Sequence, residues 1–298
     1  MNIRKNIPNT ITAGNLMCGC IAVVFAFRGD LVMAAYLVGL AAILDFFDGF
    51  AARLLKVSSP IGKDLDSLAD MVTFGLVPGI CIFHLMYFSL IQTKAGNIPI
   101  DLSKQFSDEG VAFFFSKWEL ILPFLAFFIP VFSAVRLAKF NNDSRQQDSF
   151  LGLPTPANAI LIMSIPLFLS RKFDFDTFDF AINPLFYSKG QFNSLLLSKS
   201  VGMCLNDTHF GAISRIILTL FSSVWFYVFF IIISCFLLVS EIPLIALKFK
   251  NYQWKGNEYR WILVLGSVGL LVFSGLEGVG LVILFYLILS IIPNFIKK

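Results

Sequence analysis

The sequence predicts an all-α fold, a polytopic membrane bundle of about eight transmembrane helices, and three observations carry that expectation. The 298 residues are 57% hydrophobic and only 14% charged, with a mean hydropathy of +0.79, against about 25% charged residues in soluble domains. A water-soluble chain of this length would lack the charges to cover its surface, whereas lipid asks for none. The apolar residues fall in runs near the length of about 20 residues that a helix needs to cross a bilayer. The basic residues gather at alternate ends of those runs, as orientation in a membrane requires.

Taken in order, the first apolar run covers 12–27. Arg4 and Lys5 precede it and Arg28-Gly29-Asp30 ends it without a small-residue cleavage site, so it reads as a retained span. The second, 31–55, ends at Lys56 and a Val57-Ser58-Ser59-Pro60 turn. Further runs cover 64–92, 119–140, 156–170, 212–240, 261–274 and 278–292. The last two are split by Gly275-Leu276-Glu277-Gly278. Read as a tight turn this gives eight spans, and read as a kink it gives seven. A cytoplasmic N-terminus with eight spans puts 14 of the 23 Lys and Arg inside. Seven spans would export Lys297 and Lys298, so eight is favoured. The whole reads as one integral membrane domain, 1–298, with a core at about 1–245 and a C-terminal helical hairpin at about 258–298. Longer outer segments lie at 93–118 and 171–211, the second an irregular extramembrane insertion. No inverted internal repeat of the transporter kind is present.

Charge and cysteine usage narrow the function. A net charge of +4 argues against a nucleic-acid partner and fits basic loops on one membrane face. Cys18, Cys20, Cys81 and Cys235 lie in apolar stretches, Cys204 does not, and Cys18-x-Cys20 has no matching second pair. They read as small residues of membrane helices. His84 and His209 are the only histidines, and no Ser–His or Cys–His pair for covalent catalysis is visible.

Residues 44–70 carry the chemistry. Asp45, Asp48, Gly49 and Ala52 fall at i, i+3, i+4 and i+7, one face of a helix. Gly62, Asp66 and Asp70 fall at i, i+4 and i+8, again one face. With the turn between them, two antiparallel helices point two carboxylates each at one another near the cytoplasmic interface. A charge at the membrane centre costs about 2.5–3.5 kcal/mol even on the lenient insertion scale, and like charges repel besides. Divalent ions answer both problems. Oxygen-only ligation suits Mg2+ or Mn2+, and four carboxylates are enough for two ions. Gly49 and Ala52 leave a groove for a flat ligand, although small residues also serve close helix packing. Arg53, one step past the face, can reach a phosphate, and it equally fits a positive-inside anchor.

As a pattern this is Asp-x2-Asp-Gly-x2-Ala-Arg-x8-Gly-x3-Asp-x3-Asp, with Asp45, Asp48, Gly49, Ala52, Arg53, Gly62, Asp66 and Asp70 at the fixed positions. It resembles the signature of the CDP-alcohol phosphatidyltransferase family. The resemblance implies a six-helix membrane core, usually homodimeric. It implies that Asp45, Asp48 and Asp66 hold the metals and, through them, the CDP diphosphate. Asp70 would share in metal binding and act as general base on the acceptor hydroxyl. Gly49 and Ala52 would make room for cytidine, and Arg53 and Gly62, with Pro8 and Thr12, would position the nucleotide.

Other segments resemble the bacterial-type serine-using branch of that family. They are Pro8-Asn9-Thr10-Ile11-Thr12 with Asn15 and Gly19, Arg136-Leu137-Ala138-Lys139-Phe140-Asn141, Gly152-Leu153-Pro154-Thr155-Pro156, and Ser240-Glu241-Ile242-Pro243 with Lys248. Together they cover most of residues 3–165 and part of the C-terminal third. The branch usually has Arg where this chain has Lys139, which keeps charge but loses a bidentate fork. It also usually has a shorter insertion at 171–211. The implied substrates are CDP-diacylglycerol and L-serine, with the lipid bilayer as solvent, in the bacterial cytoplasmic membrane with the active site facing the cytoplasm. Arg136 is the candidate for the acceptor's carboxylate, and Lys139 and Asn141 are further acceptor-side candidates. Glycerol 3-phosphate or an inositol derivative as acceptor would use the same chemistry. A cation-coupled transporter is the alternative of a different class.

Overall fold

The computed structural model describes residues 3–57, 60–95, 117–142, 150–172, 212–245, 253–254 and 257–296. Nearly all of the 171–211 insertion, most of the 93–118 segment, and Cys204, His209 and Lys248 lie outside the described residues.

Helix α1 (Ile3–Phe27) turns through Arg28-Gly29-Asp30 into α2 (Leu31–Leu55). The Asp30 carboxylate caps α2 by accepting the Met33 N–H at 2.9 Å. At the far end Lys56 adopts a left-handed conformation, φ 52°, and the Lys56 and Val57 N–H groups return to the Arg53 and Ala52 carbonyls, which stops the helix. Buried Ala22 and Ala26 on α1 and Ala34, Ala35, Val38 and Ala41 on α2 are small, so the two backbones approach closely as membrane helices do.

The run that follows is α3 (Pro60–Asp70), a π-helical turn (Met71–Leu76) and α4 (Val77–Ala95). It is the most buried of the long helices, and Phe74, Val77, Ile80, Cys81, Leu85 and Met86 form the centre of the core. Next come α5 (Lys117–Ile121), a 3-10 turn (Leu122–Phe127) and α6 (Phe128–Asn142), then α7 (Thr155–Lys172). The expected span 212–240 is corrected here. It is two helices, α8 (Ala212–Phe221) and α9 (Val224–Val239), broken at Ser222-Ser223. Ser223 is extended and the Ser222 hydroxyl donates back to the Thr219 carbonyl, the local side-chain bonding by which serine competes with a helix.

The chain closes with α10 (Glu258–Ser274), a 3-10 turn (Gly275–Gly278) and α11 (Val279–Ile296). Gly266 packs under the Phe285 ring, so the two helices form a hairpin and the 275–278 segment is a turn. A short antiparallel pair, β1 (Phe150–Leu151) with β2 (Pro243–Leu244), departs from the all-α expectation. Among the described residues, four stretches are long and apolar enough to cross a membrane, Asn6–Phe27, Leu31–Leu55, Ile61–Leu90 and Leu122–Asn142, with shorter apolar helices at Val224–Val239 and Val279–Ile292. This is the constitution of a multi-pass membrane helix bundle.

Candidate active site

Helices α2 and α3 meet at their carboxylates. One oxygen each from Asp45, Asp48 and Asp66 lies within 4.8 Å of the others. Asp70, one turn further along α3, is outside that trio but next to Asp45. Asp48 and Asp70 are buried.

Helix α1 forms the third wall. Thr12 and Asn15, at i and i+3, share a face. The Thr12 hydroxyl donates to Asp48 Oδ2 at 2.6 Å and Asn15 Nδ2 donates to Asp70 Oδ1 at 3.3 Å. Gly19 continues that face. A Cβ there would stand 2.3 Å from Thr73 Oγ1, and Thr73 uses the gap to donate to the Asn15 carbonyl at 3.4 Å. The π-helical turn starts right after Asp70, and the Val77 N–H reaches back to the Val72 carbonyl. Its wider turn shifts the register of everything downstream, so Asp66 and Asp70 face α1 and α2 while Thr73, Phe74 and Gly75 bury in the core. Such turns are frequent at functional sites.

The trio suits a hard divalent cation. Its donors are all carboxylate oxygens, and ions such as Mg2+ or Ca2+ bind oxygen at about 2.0–2.6 Å, so oxygens this close together can share one ligand shell.

Beside the trio opens a cavity of about 270 Å3, lined by Pro8, Asn9 and Thr12 of α1, Asp48, Gly49 and Ala52 of α2, Val57, and Gly62, Lys63 and Asp66 of α3. Five residues expected at a nucleotide, Pro8, Thr12, Gly49, Ala52 and Gly62, are thus brought together. Gly49 decides between its two sequence readings. Among the described residues, no atom beyond its own turn of helix lies within 4 Å of a Cβ built there, so its smallness leaves room and does not admit a neighbouring helix. Arg53 is not part of the lining. Its Nε donates to the Gly49 carbonyl at 3.0 Å, along its own helix. Asn9, Val57 and Lys63 line the cavity without having been singled out. Asn9 was legible as the residue one helical turn before Thr12, and Lys63 as a cation beside Gly62 and Asp66.

The acceptor-side candidates separate. Arg136 is buried on α6, near Asp70 at the opposite end of the carboxylate row from the cavity. Its Nη1 donates to Thr155 Oγ1 at 3.3 Å, its guanidinium lies 5.5 Å from the centre of the Phe140 ring, and its Nε has no hydrogen-bond partner among the described residues. Lys139 is exposed and does not line the cavity. Asn141 ties α6 to α3: its Nδ2 donates to Ser67 Oγ at 2.8 Å and its carbonyl accepts from Lys63 Nζ at 2.7 Å. His84 is buried in α4 and takes no part in the carboxylate group.

The family model for CDP-alcohol phosphatidyltransferases matches residues 5–187, which include every residue of the carboxylate row and the cavity. The chain is 32% identical over 170 residues to a Helicobacter pylori (strain J99) CDP-diacylglycerol–serine O-phosphatidyltransferase, covering 56% of this chain and 60% of that one. It is 29% identical over 154 residues to the Bacillus subtilis protein of the same description, covering 50% and 69%. An archaetidylserine synthase from Methanothermobacter thermautotrophicus is 26% identical over 164 residues, covering 54% and 58%. The chain thus spans about 60% of the length of the first of these relatives.

Proposed function

The chain belongs to the CDP-alcohol phosphatidyltransferase family, and from that membership we propose that it moves the phosphatidyl group of CDP-diacylglycerol onto the hydroxyl of L-serine, giving phosphatidylserine and CMP. The observation that carries the reading is the carboxylate row itself, with an open cavity at its Asp48–Asp66 end and a buried arginine at its Asp70 end. In this reading the cavity end is the donor side and the arginine end the acceptor side, with the reacting groups between them.

In this reading Pro8, Thr12, Gly49, Ala52 and Gly62 enclose the cytidine and Lys63 and Asn9 join them. Arg53 would have to leave the Gly49 carbonyl, which its Nε now donates to, before it could reach the nucleotide. Asp45, Asp48 and Asp66, with a share from Asp70, hold one or two Mg2+ or Mn2+ ions. When bound, such an ion neutralises the diphosphate and stabilises the charge that grows on the leaving phosphate. Arg136 receives the acceptor carboxylate, with Lys139 and Asn141 at the rim. Asp70 takes the proton of the serine hydroxyl. The serine oxygen forms a bond to the phosphatidyl phosphorus, the bond from that phosphorus to the bridging diphosphate oxygen breaks, and CMP leaves with the electron pair. The reading includes a homodimer in the bacterial cytoplasmic membrane, with the site on the cytoplasmic face. The relatives named for serine chemistry support the acceptor.

CMP release tests it, with detergent-purified protein, CDP-diacylglycerol and Mg2+ or Mn2+, and with L-serine, glycerol 3-phosphate, inositol phosphate or no acceptor. The expected result is release that requires both metal and serine. Release with another acceptor alone replaces serine and keeps the chemistry. No release, from folded protein that also fails to bind CDP, returns the carboxylates to an ion-transport role.

Gly49→Leu gives a second expected result. The added side chain points into open space, so the thermal midpoint should stay near that of the wild type. Overpacking costs about 1–3 kcal/mol, and here it falls on the ligand. CDP affinity, read by calorimetry, should drop by roughly tenfold or more. A wild-type affinity in this variant would remove the cavity from the donor site.

A further inference from the structure

Helices α10 and α11 lie beyond the matched stretch 5–187, yet α11 reaches the Arg136 end of the site. Tyr286 and Ser290, at i and i+4, hold both polar groups of one peptide-chain residue. The Tyr286 hydroxyl donates to the Ile245 carbonyl at 3.2 Å, and the Ile245 N–H donates to Ser290 Oγ at 3.2 Å. Ile245 directly follows β2, which pairs with β1. Past β1, the Gly152 N–H donates to the Ile242 carbonyl at 3.0 Å and the Leu153 N–H to the Leu237 carbonyl at 2.9 Å. Gly152 has φ +72°, and a Cβ there would stand 2.5 Å from the Ser240 carbonyl oxygen, so only glycine fits this crossing. Leu153, Leu244 and Leu287 close a small apolar cluster against which Tyr286 packs.

Two residues later comes Thr155, the residue whose hydroxyl accepts from Arg136. The Tyr286 phenol is itself within electrostatic reach of the Arg136 guanidinium. Arg136 is buried, and among the described residues its Nε has no hydrogen-bond partner. Its direction is therefore set by few contacts, and α11 supports them.

We propose that Tyr286 is a positioning residue for acceptor recognition: through Ile245, the β1–β2 pair and Thr155, it fixes the direction in which Arg136 presents its guanidinium to the acceptor. This rests on the reading of Arg136 as the acceptor-side cation. It assigns the C-terminal hairpin a part in substrate selection, although none of its residues belongs to the carboxylate row.

The test is CMP release by the full chain in detergent, with CDP-diacylglycerol and Mn2+, as a function of L-serine concentration. Wild type, Tyr286→Phe, Ser290→Ala, Arg136→Lys and the Arg136→Lys/Tyr286→Phe pair are compared, with thermal midpoints alongside. Tyr286→Phe keeps the ring and loses the hydroxyl. Loss of one neutral hydrogen bond corresponds to about 3–10-fold, so the KM for serine should rise by that factor. kcat and the KM for CDP-diacylglycerol should stay within about twofold. Ser290→Ala should move the same parameter in the same direction. In the double variant the Tyr286→Phe effect should largely vanish, because residues that act as a unit are not additive. An unchanged serine KM in both Tyr286→Phe and Ser290→Ala overturns the proposal, as does a lowered thermal midpoint with no selective KM effect. A serine KM raised by Tyr286→Phe and additive with Arg136→Lys overturns it too, since Tyr286 would then act by another route. An unchanged serine KM in Arg136→Lys, or wild-type release that ignores serine, sinks the reading of Arg136 and this proposal with it. A raised KM in Arg136→Lys alone sinks only the role of Tyr286.

Discussion

Asp48→Asn is expected to abolish metal-dependent CMP release while leaving the bundle folded. Asparagine has the shape of aspartate and retains an oxygen to accept the Thr12 hydroxyl, which sits 2.6 Å from Asp48 Oδ2, so the α1–α2 contact survives. What goes is one charge from a trio whose oxygens lie within 4.8 Å of one another. Removing a group that stabilises developing charge costs about 10²–10³-fold in turnover, and a metal ligand should cost at least that. Stability separates this from misfolding. A ligand that binds only the folded state adds about 2.7 kcal/mol at 100 times its Kd, so wild type should show a clear rise in thermal midpoint with Mn2+ and the variant almost none. Without metal the sign reverses. Like charges about 4 Å apart repel by about 4 kcal/mol at an effective dielectric of 20, and partial solvent access lowers that figure without changing its direction. The metal-free variant should therefore melt at or above metal-free wild type. A variant that melts lower without metal would mean that Asp48 is held by attractive contacts and not by an ion.

The carboxylate row was legible because helical periodicity converts spacing into a face. Asp45, Asp48, Gly49 and Ala52 on one helix, and Gly62, Asp66 and Asp70 on the next, need only a tight turn to meet. The grouping within the row was not legible from spacing, and only the family resemblance set Asp70 apart. Spacing treats the four aspartates alike, whereas the fold draws Asp45, Asp48 and Asp66 together and sets Asp70 against Asn15. That difference depends on α1, which is distant in sequence and carries no charge at Thr12 or Asn15 to mark them. The π-helical turn after Asp70 is likewise a product of packing, since Met71–Leu76 reads as ordinary apolar helix. Ser222-Ser223 was hidden for a related reason: two serines in a long apolar run do not interrupt hydropathy, yet their hydroxyls can end a helix. Arg53 matched its pattern and still points along its own backbone. A motif position fixes where a side chain starts, and the competing local acceptor decides where it goes. The β1–β2 pair joins residues about 93 positions apart through two two-residue strands, too short for any periodicity to register.

Asp70→Asn should separate the proton acceptor from the metal ligands. Asp70 stands outside the trio, so its replacement leaves three carboxylates in place. The asparagine oxygen can still accept from Asn15 Nδ2, so the contact to α1 persists. Mn2+ affinity, followed by electron paramagnetic resonance, should remain within a few-fold of wild type, and CDP binding with it. Turnover should fall by about 10²–10⁴-fold, the usual contribution of a positioned general base. The location of Arg136 supports this division. In serine the carboxylate and the hydroxyl are only three bonds apart, so the cation that holds one and the base that deprotonates the other must be near neighbours, as Arg136 and Asp70 are. Asp48 and Asp66, which face the cavity, have no such cation beside them among the described residues that line it except Lys63, whose ammonium is bound to the Asn141 carbonyl. A fall in Mn2+ affinity as large as that in Asp48→Asn would make Asp70 chiefly a ligand. The proton would then have to leave by another carboxylate of the row, and Asp45, adjacent to both Asp66 and Asp70, would be the next to replace.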